Sequence, residues 1–405
     1  MENYLIVVLA LCLLMAGCST SPSVDKKFGY DTDGMLLIHG KRTFILGSYH
    51  LTKSPEPYQE LAETGFNLVH TAASPEALDQ AHAAGLFVWV SVGTIDPAKR
   101  EESSQKIRET VTQFKDHPAL LIWESVDEPA WTWNEAGWRV PPEPLAEGYQ
   151  LVKSIDPDHL MYMNHAPTNL ATTLQKYNSG TDIVACDIYP VIVPGTKPMF
   201  ALFEDGLQGD LLNTHISQVG EYTDKMSWVA AGKRPLFMVL QGFAWELLRG
   251  KDADSTLIKF PTRHETRFMA YNAIMHGATG INYWGHAYTP QPSPFWSDLK
   301  SVVSELASIQ DILAERTKNM HIVNIYHEMG RSVDAGVEVM IKKARGHYYL
   351  FAANADKNPV KVSITGFGRE KNAEVLFEER SLKIENRELT DTFKPFDVHI
   401  YKLID

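Results

Sequence analysis

Residues 116–131 read DHPALLIWESVDEPAW. The run from Ala119 to Trp123 is apolar without a break, as in a strand covered on both faces. A carboxylate-rich exit follows, Asp127-Glu128-Pro129, and the proline stiffens its turn. A strand of this kind that ends in acids belongs in a parallel sheet with its chemistry at one rim. The neighbouring sequence repeats the plan. FILGSYH (44–50), FNLVHTAAS (66–74) and LFVWVSVG (86–93) precede it. LMYMNHAPT (160–168), DIVACDIYP (182–190), PLFMVLQGF (235–243) and TGINYWGH (279–286) follow it.

Helical patterns separate these runs. Ser74-Pro75-Glu76 supplies an N-cap, a first-turn proline and a first-turn acid, and Gly85 marks the stop. Ile107, Val111 and Phe114 share one helical face, as do Leu299, Val302, Val303, Leu306, Ile309 and Leu313. Alternating strands and helices over residues 34–319 predict a (β/α)8 TIM barrel. After residue 319 the period changes to two. EVMIKKARGHYYLFAAN (338–354) reads as a hairpin, and FDVHIYKL (396–403) alternates Phe396, Val398 and Ile400 with Asp397, His399 and Tyr401. Residues 320–405 therefore read as an antiparallel β-sandwich.

The 405-residue chain suits one large and one smaller domain. Its net charge of −12 argues against nucleic acid or anionic lipid as the main partner. Residues 1–18, MENYLIVVLALCLLMAGC, read as a signal segment whose apolar run, residues 5–16, is too short to span a bilayer comfortably. LMAGC resembles the cleavage box of bacterial lipoproteins, which implies lipidation of Cys18, export and a membrane tether through residues 19–33. Cys12 and Cys18 lie in this leader. Cys186 is then alone in the body, expected as an inert buried thiol.

In a barrel the site lies where the strands end. That rim collects Tyr49 and His50, His70, Trp89, Asp127 and Glu128, Asn164 and His165, Asp187 and Tyr189, Gln241, and Tyr283, Trp284 and His286. A few polar groups among aromatic platforms suit a sugar. WESVDEP (123–129) resembles the strand-four motif of the clan A glycoside hydrolases. The entry hairpin with HGKRTFILGSYH, the DIYP and NYWG strand ends and the β tail are similar to that clan over most of residues 34–405. The resemblance implies a glycosidase with Glu128 as general acid, set between Trp123 and Trp131, and with Asp127 and Trp284 on the sugar. Asp187 is the expected second catalytic group. Trp89, Trp131, Tyr189, Gln241 and His50 are expected substrate contacts. The loop tryptophans Trp131, Trp133 and Trp138 either stack on sugar or plug the loop.

The sequence departs from the clan at strand seven, where Gln241 stands in place of the nucleophilic Glu. Gln cannot ionise. Three readings follow. Asp187 or Glu246 supplies the second carboxyl, giving inversion with the two groups roughly 6.5–9.5 Å apart. Alternatively the substrate attacks itself while Gln241 orients it. Or catalysis is lost and the barrel only binds carbohydrate. A rival of another class is an interaction protein that works through its β tail. The sequence carries no HExxH, paired Cys, P-loop, dinucleotide fingerprint or Gly-x-Ser-x-Gly elbow, so no metal or cofactor is expected.

Overall fold

The computed structural model describes residues 27–132, 137–194, 213–327 and 336–405. The leader with Cys12 and Cys18, and Trp133, lie outside the described residues.

Eight parallel strands close into a barrel. In chain order they are Ile45–Ser48, Leu68–His70, Phe87–Ser91, Leu120–Glu124, Leu160–His165, Ile183–Ile188, Leu236–Gln241 and Gly280–Trp284. Strand eight returns to strand one, Gly280 pairing Ile45 and Tyr283 pairing Ser48. Every strand that the apolar runs predict is present. The helices between them obey the local rules. Ser74 Oγ accepts from Ala77 N–H at 3.2 Å. Thr262 and Glu265 form a capping box at the start of Arg263–Met275. Ile107, Val111 and Phe114 are the buried face of Arg100–Phe114.

The base of the barrel is sealed by a three-stranded antiparallel sheet, Phe28–Tyr30, Leu36–Ile38 and Lys41–Thr43. His39 and Gly40, at φ +49° and +75°, make its hairpin turn. Phe28, Leu36 and Ile38 pack with Ile45, Leu68, Ile122, Leu160, Ile183 and Phe237 to fill the interior. This corrects the expected tether at residues 19–33: its last part is a structural strand, and Phe28 is a core residue. Asp31 and Asp33 made the segment look solvated. They instead pair with Arg42, and Asp31 also pairs with Arg316.

The last barrel helices, Pro294–Ser308 and Gln310–Ala314, lead to the β-sandwich. One sheet holds Val323–Tyr326, Val360–Thr365 and Glu388–Phe393. The other orders Val337–Ala344, His347–Asn354, Val398–Ile404, Asn372–Val375 and Arg380–Lys383. The period-two pattern sorts its faces: Tyr401 and Leu403 enter the sandwich core, while Val398 and Ile400 join the barrel's helical shell. Polar contacts reinforce that seam. Arg267 on the helix Arg263–Met275 donates to Glu305 at 2.7 Å and to the Val398 carbonyl at 2.6 Å.

Candidate active site

The mouth of the barrel is built from the ends of its eight strands. Strand four stops at Glu124, so Glu128 belongs to the exit loop, not to the strand end. Glu128 has φ +45°, a left-handed conformation that a non-glycine residue adopts only when its surroundings impose it, at a cost of about 1–3 kcal/mol. Two backbone bonds impose it. Its N–H donates to the Asn164 carbonyl at 3.0 Å, and its own carbonyl accepts from Trp131 N–H at 3.1 Å.

This turn puts Glu128 against Asp187, which ends strand six. The two carboxyls share a hydrogen bond. Burial raises the Asp187 carboxyl far above the usual carboxylate range, and the nearby Glu128 and Asp127 charges raise it further. Two carboxyls in contact resist ionising together, so the pair gives up its last proton at a higher pH than either group would alone. Asn164 at the end of strand five fixes the group. Its Nδ2 donates to Asp127 at 2.9 Å and to Asp187 at 3.3 Å. Asp127 is solvent-exposed at the rim. Its carboxyl is nevertheless raised, first by the surrounding protein, against the opposing pull of Asn164 and Arg139.

Aromatic rings cover one side. Trp284 stacks on Tyr189 with ring centroids 5.6 Å apart and planes 24° from parallel. His50 and Tyr288 abut the same indole at 5.8 and 5.6 Å. Burial lowers His50 to about 4, with help from His70, so it is neutral near pH 7. Trp131 is half-buried beside Glu128. Trp138 holds its loop down, edge-on to Tyr177 at 6.4 Å and under Lys176.

Four expected positions lie elsewhere. Gln241 is completely buried. Its Oε1 accepts from Val191 N–H at 2.9 Å, and its Nε2 donates to the carbonyls of Val191 and Phe243 at 2.8 and 3.0 Å. Every polar group of that amide is spent on holding the loop after strand six, which removes it as a sugar contact. Trp89 is only 1 % exposed. It forms a floor beneath Tyr49 and His70, at ring distances of 5.0 and 5.4 Å, and presents no open face. Trp123 points outward to Asp156, to which its N–H donates at 2.7 Å, and does not flank Glu128. Glu246 accepts from Asp254 N–H and is a loop anchor. Cys186 is buried, with its thiol pushed far up by burial.

The residue that sequence reasoning passed over is Glu124. It sits in a fully buried strand, and burial raises its carboxyl to about 7, with Asp127 adding to the shift and Ser91 opposing it. An acid inside an apolar run was the available signal, because Glu is almost never buried without a reason. Among the described residues, no group of three or more His, Cys, Asp or Glu is arranged to hold a metal ion.

No protein-family model and no curated protein matches the chain. Solved structures do. One described as a glycoside hydrolase superposes with a TM-score of 0.61 at 14% identity, covering 94% of this chain and 97% of that one. A family 5 glycoside hydrolase from Bacteroides vulgatus ATCC 8482 gives 0.57 at 12% identity, covering 93% and 92%. An alpha-amylase from Geobacillus thermoleovorans, solved with acarbose, gives 0.57 at 10% identity, covering 90% and 100%. At these identities the likeness is one of fold: the chain has the barrel-plus-β-domain architecture of glycoside hydrolases.

Proposed function

We propose that the protein is a glycoside hydrolase in which Glu128 is the general acid and Asp187 the group that keeps it protonated. The observation that supports this is the Glu128–Asp187 carboxyl pair at the mouth of the barrel. A glycosidic oxygen leaves as an alcohol only if it is protonated as the bond breaks, and the pair stores a proton for that step. Glu128 is only half-buried while Asp187 is buried, so Glu128 is the member that meets the substrate. As its proton leaves, the new negative charge spreads over both carboxyls and onto the Asn164 amide.

Contact between these two groups is closer than the roughly 5–5.5 Å of a retaining pair or the roughly 6.5–9.5 Å of an inverting one. Asp187 is therefore assigned to the acid, not to the opposite face of the sugar. Trp284 and Tyr189 form the platform for the sugar ring. Asp127, His50 and Trp131 meet its hydroxyls and edges. The mouth gathers acids, which favours neutral over anionic glycans. Export and tethering through Cys18 complete the reading.

The test is turnover of a panel of chromogenic aryl glycosides and neutral oligosaccharides by wild type, Glu128→Gln and Asp187→Asn. Loss of the acid is expected to lower kcat by about 10²–10⁴. Asp187→Asn should lower kcat and shift the alkaline limb of the pH profile to lower pH. Turnover of the oligosaccharides, whose leaving groups need protonation, that is unchanged in Glu128→Gln would refute the assignment. Absence of any turnover in wild type would refute the activity.

A further inference from the structure

The glycosidase reading leaves the second half of hydrolysis without a group, since Gln241 is sealed and Asp187 serves the acid. One buried carboxyl in the mouth remains unused. Glu124 ends strand four, and its two oxygens differ. Oε2 accepts a short hydrogen bond from Ser91 Oγ and lies 3.6 Å from His70 Nε2. Ser91 Oγ and His70 Nε2 are themselves 3.1 Å apart.

His70 is held near 4 by burial and so is neutral at pH 7. The pair of His70 and Glu124 is then a polar contact, not an ion pair. The arrangement that satisfies every atom is a one-way chain: His70 Nε2–H donates to Ser91 Oγ, and Ser91 O–H donates to Oε2. Apart from the Trp89 indole N–H, which lies near the carboxyl, no hydrogen bond among the described residues reaches Oε1. The Glu124 side chain keeps 7 % of its surface exposed. Ser91 is exposed beside it and His70 half-buried, which gives water a way in. Tyr49 and Tyr162, joined hydroxyl to hydroxyl at 2.6 Å, feel the charges of Glu124 and Asp127 alike. Glu124 therefore lies within electrostatic reach of the Asp127–Glu128 turn.

We infer that Glu124 is the general base of the reaction, with one carboxylate oxygen held by Ser91, which His70 holds in turn, and the other, beside the Trp89 indole, turned to activate water. This rests on the glycosidase reading. In the step, Oε1 takes a proton from water as the water oxygen bonds to the anomeric carbon. The carbon–oxygen bond to the leaving group breaks, and Glu128 gives its proton to that oxygen. One water is consumed, two hydroxyls are formed, and no redox change occurs. Solvent exchange then returns the proton from Glu124 to the Glu128–Asp187 pair. With no covalent intermediate, the product has the inverted anomeric configuration.

The experiment uses the full-length protein and a dinitrophenyl glycoside, whose leaving group needs no protonation. Wild type and Glu128→Gln should both turn it over. Glu124→Gln should fall by about 10²–10⁴. Azide should restore Glu124→Gln turnover, because it attacks carbon without giving up a proton, and a glycosyl azide should accumulate. Azide should not speed Glu128→Gln on an alkyl glycoside. Ser91→Ala, at an exposed position, leaves the barrel folded and should lower kcat with little change in KM. Proton NMR of the first product should show inversion. Wild-type kcat in Glu124→Gln, a retained product configuration, or lost turnover that azide does not restore in a folded Glu124→Gln would each overturn the inference. Inactive wild type would overturn the glycosidase reading and not this assignment alone.

Discussion

Glu305→Gln tests how the β-sandwich is fastened to the barrel. The Glu305 side chain is 4 % exposed and accepts from Arg267 Nε at 2.7 Å, Tyr271 Oη at 3.0 Å and Arg263 Nη2 at 3.3 Å. Arg267 is 12 % exposed and carries the link to the Val398 carbonyl. The amide keeps the volume but removes the charge, and its NH₂ group meets donors where an acceptor is needed. A buried guanidinium without its counter-ion costs about 3–5 kcal/mol, a large part of an ordinary domain's stability of about 5–15 kcal/mol. The control is Asp311→Asn. It breaks the Arg345–Asp311 fork at 2.5 and 2.8 Å, whose members are 49 % and 55 % exposed. That loss is expected to be about 0.2–1 kcal/mol. Urea unfolding followed by tryptophan fluorescence measures both. If Glu305→Gln costs no more than Asp311→Asn, burial does not govern this seam and the reasoning fails.

Gln241→Glu places a carboxylate against the Val191 and Phe243 carbonyls. It should destabilise the fold by about 1–3 kcal/mol and not create a nucleophile; a gain of retaining activity on thermal analysis of an intact fold would contradict this. His276 bridges Asp224 at 2.9 Å and Glu338 at 3.1 Å, and those contacts outweigh burial to raise it to about 9. Its folded value thus exceeds the ordinary 6.5, so its stabilisation is whole below pH 6.5 and disappears as pH rises through about 9. The Tm gap between wild type and His276→Gln should shrink across that window, and a gap that widens would reverse the sign. Glu124 held near 7 by burial, with Asp127 raising it and Ser91 and neutral His70 facing it, puts the acid limb of kcat near 7; Ser91→Ala should move that limb upward. Cys18→Ala should release the protein from the membrane fraction, and unchanged fractionation would remove the lipid tether.

The barrel was legible because each strand is an apolar run bounded by polar turns, and because both faces are covered. That same double burial hid which way each side chain points. Trp89, Trp123 and Gln241 end or sit within such runs, and nothing in an unbroken apolar pattern separates the hollow from the helical shell. Only the register of a tilted, staggered barrel sorts them, with a shift between Val88 and Trp89 altering the alternation in strand three. Glu124 was concealed by the brighter Asp-Glu-Pro behind it. Glu128 stands out as a candidate from its motif, but its left-handed turn and its contact with Asp187 depend on Asn164, which lies far along the chain. Phe28–Tyr30 is too short to show a period, and the charges of Asp31 and Asp33 belong to ion pairs with arginines distant in sequence.

The proposed mechanism requires Glu128 and Asp187 to hold a single proton between them. Infrared difference spectroscopy of wild type against Asp187→Asn near pH 7, in ¹³C-labelled carboxylates, observes that proton without any substrate. Two protonated-carboxyl contributions are expected in wild type: one that Asp187→Asn removes and Glu124→Gln leaves in place, and the half-titrated Glu124 contribution, held near 7 by burial, that only Glu124→Gln removes. A spectrum in which Glu128 and Asp187 are both ionised at that pH would contradict the mechanism.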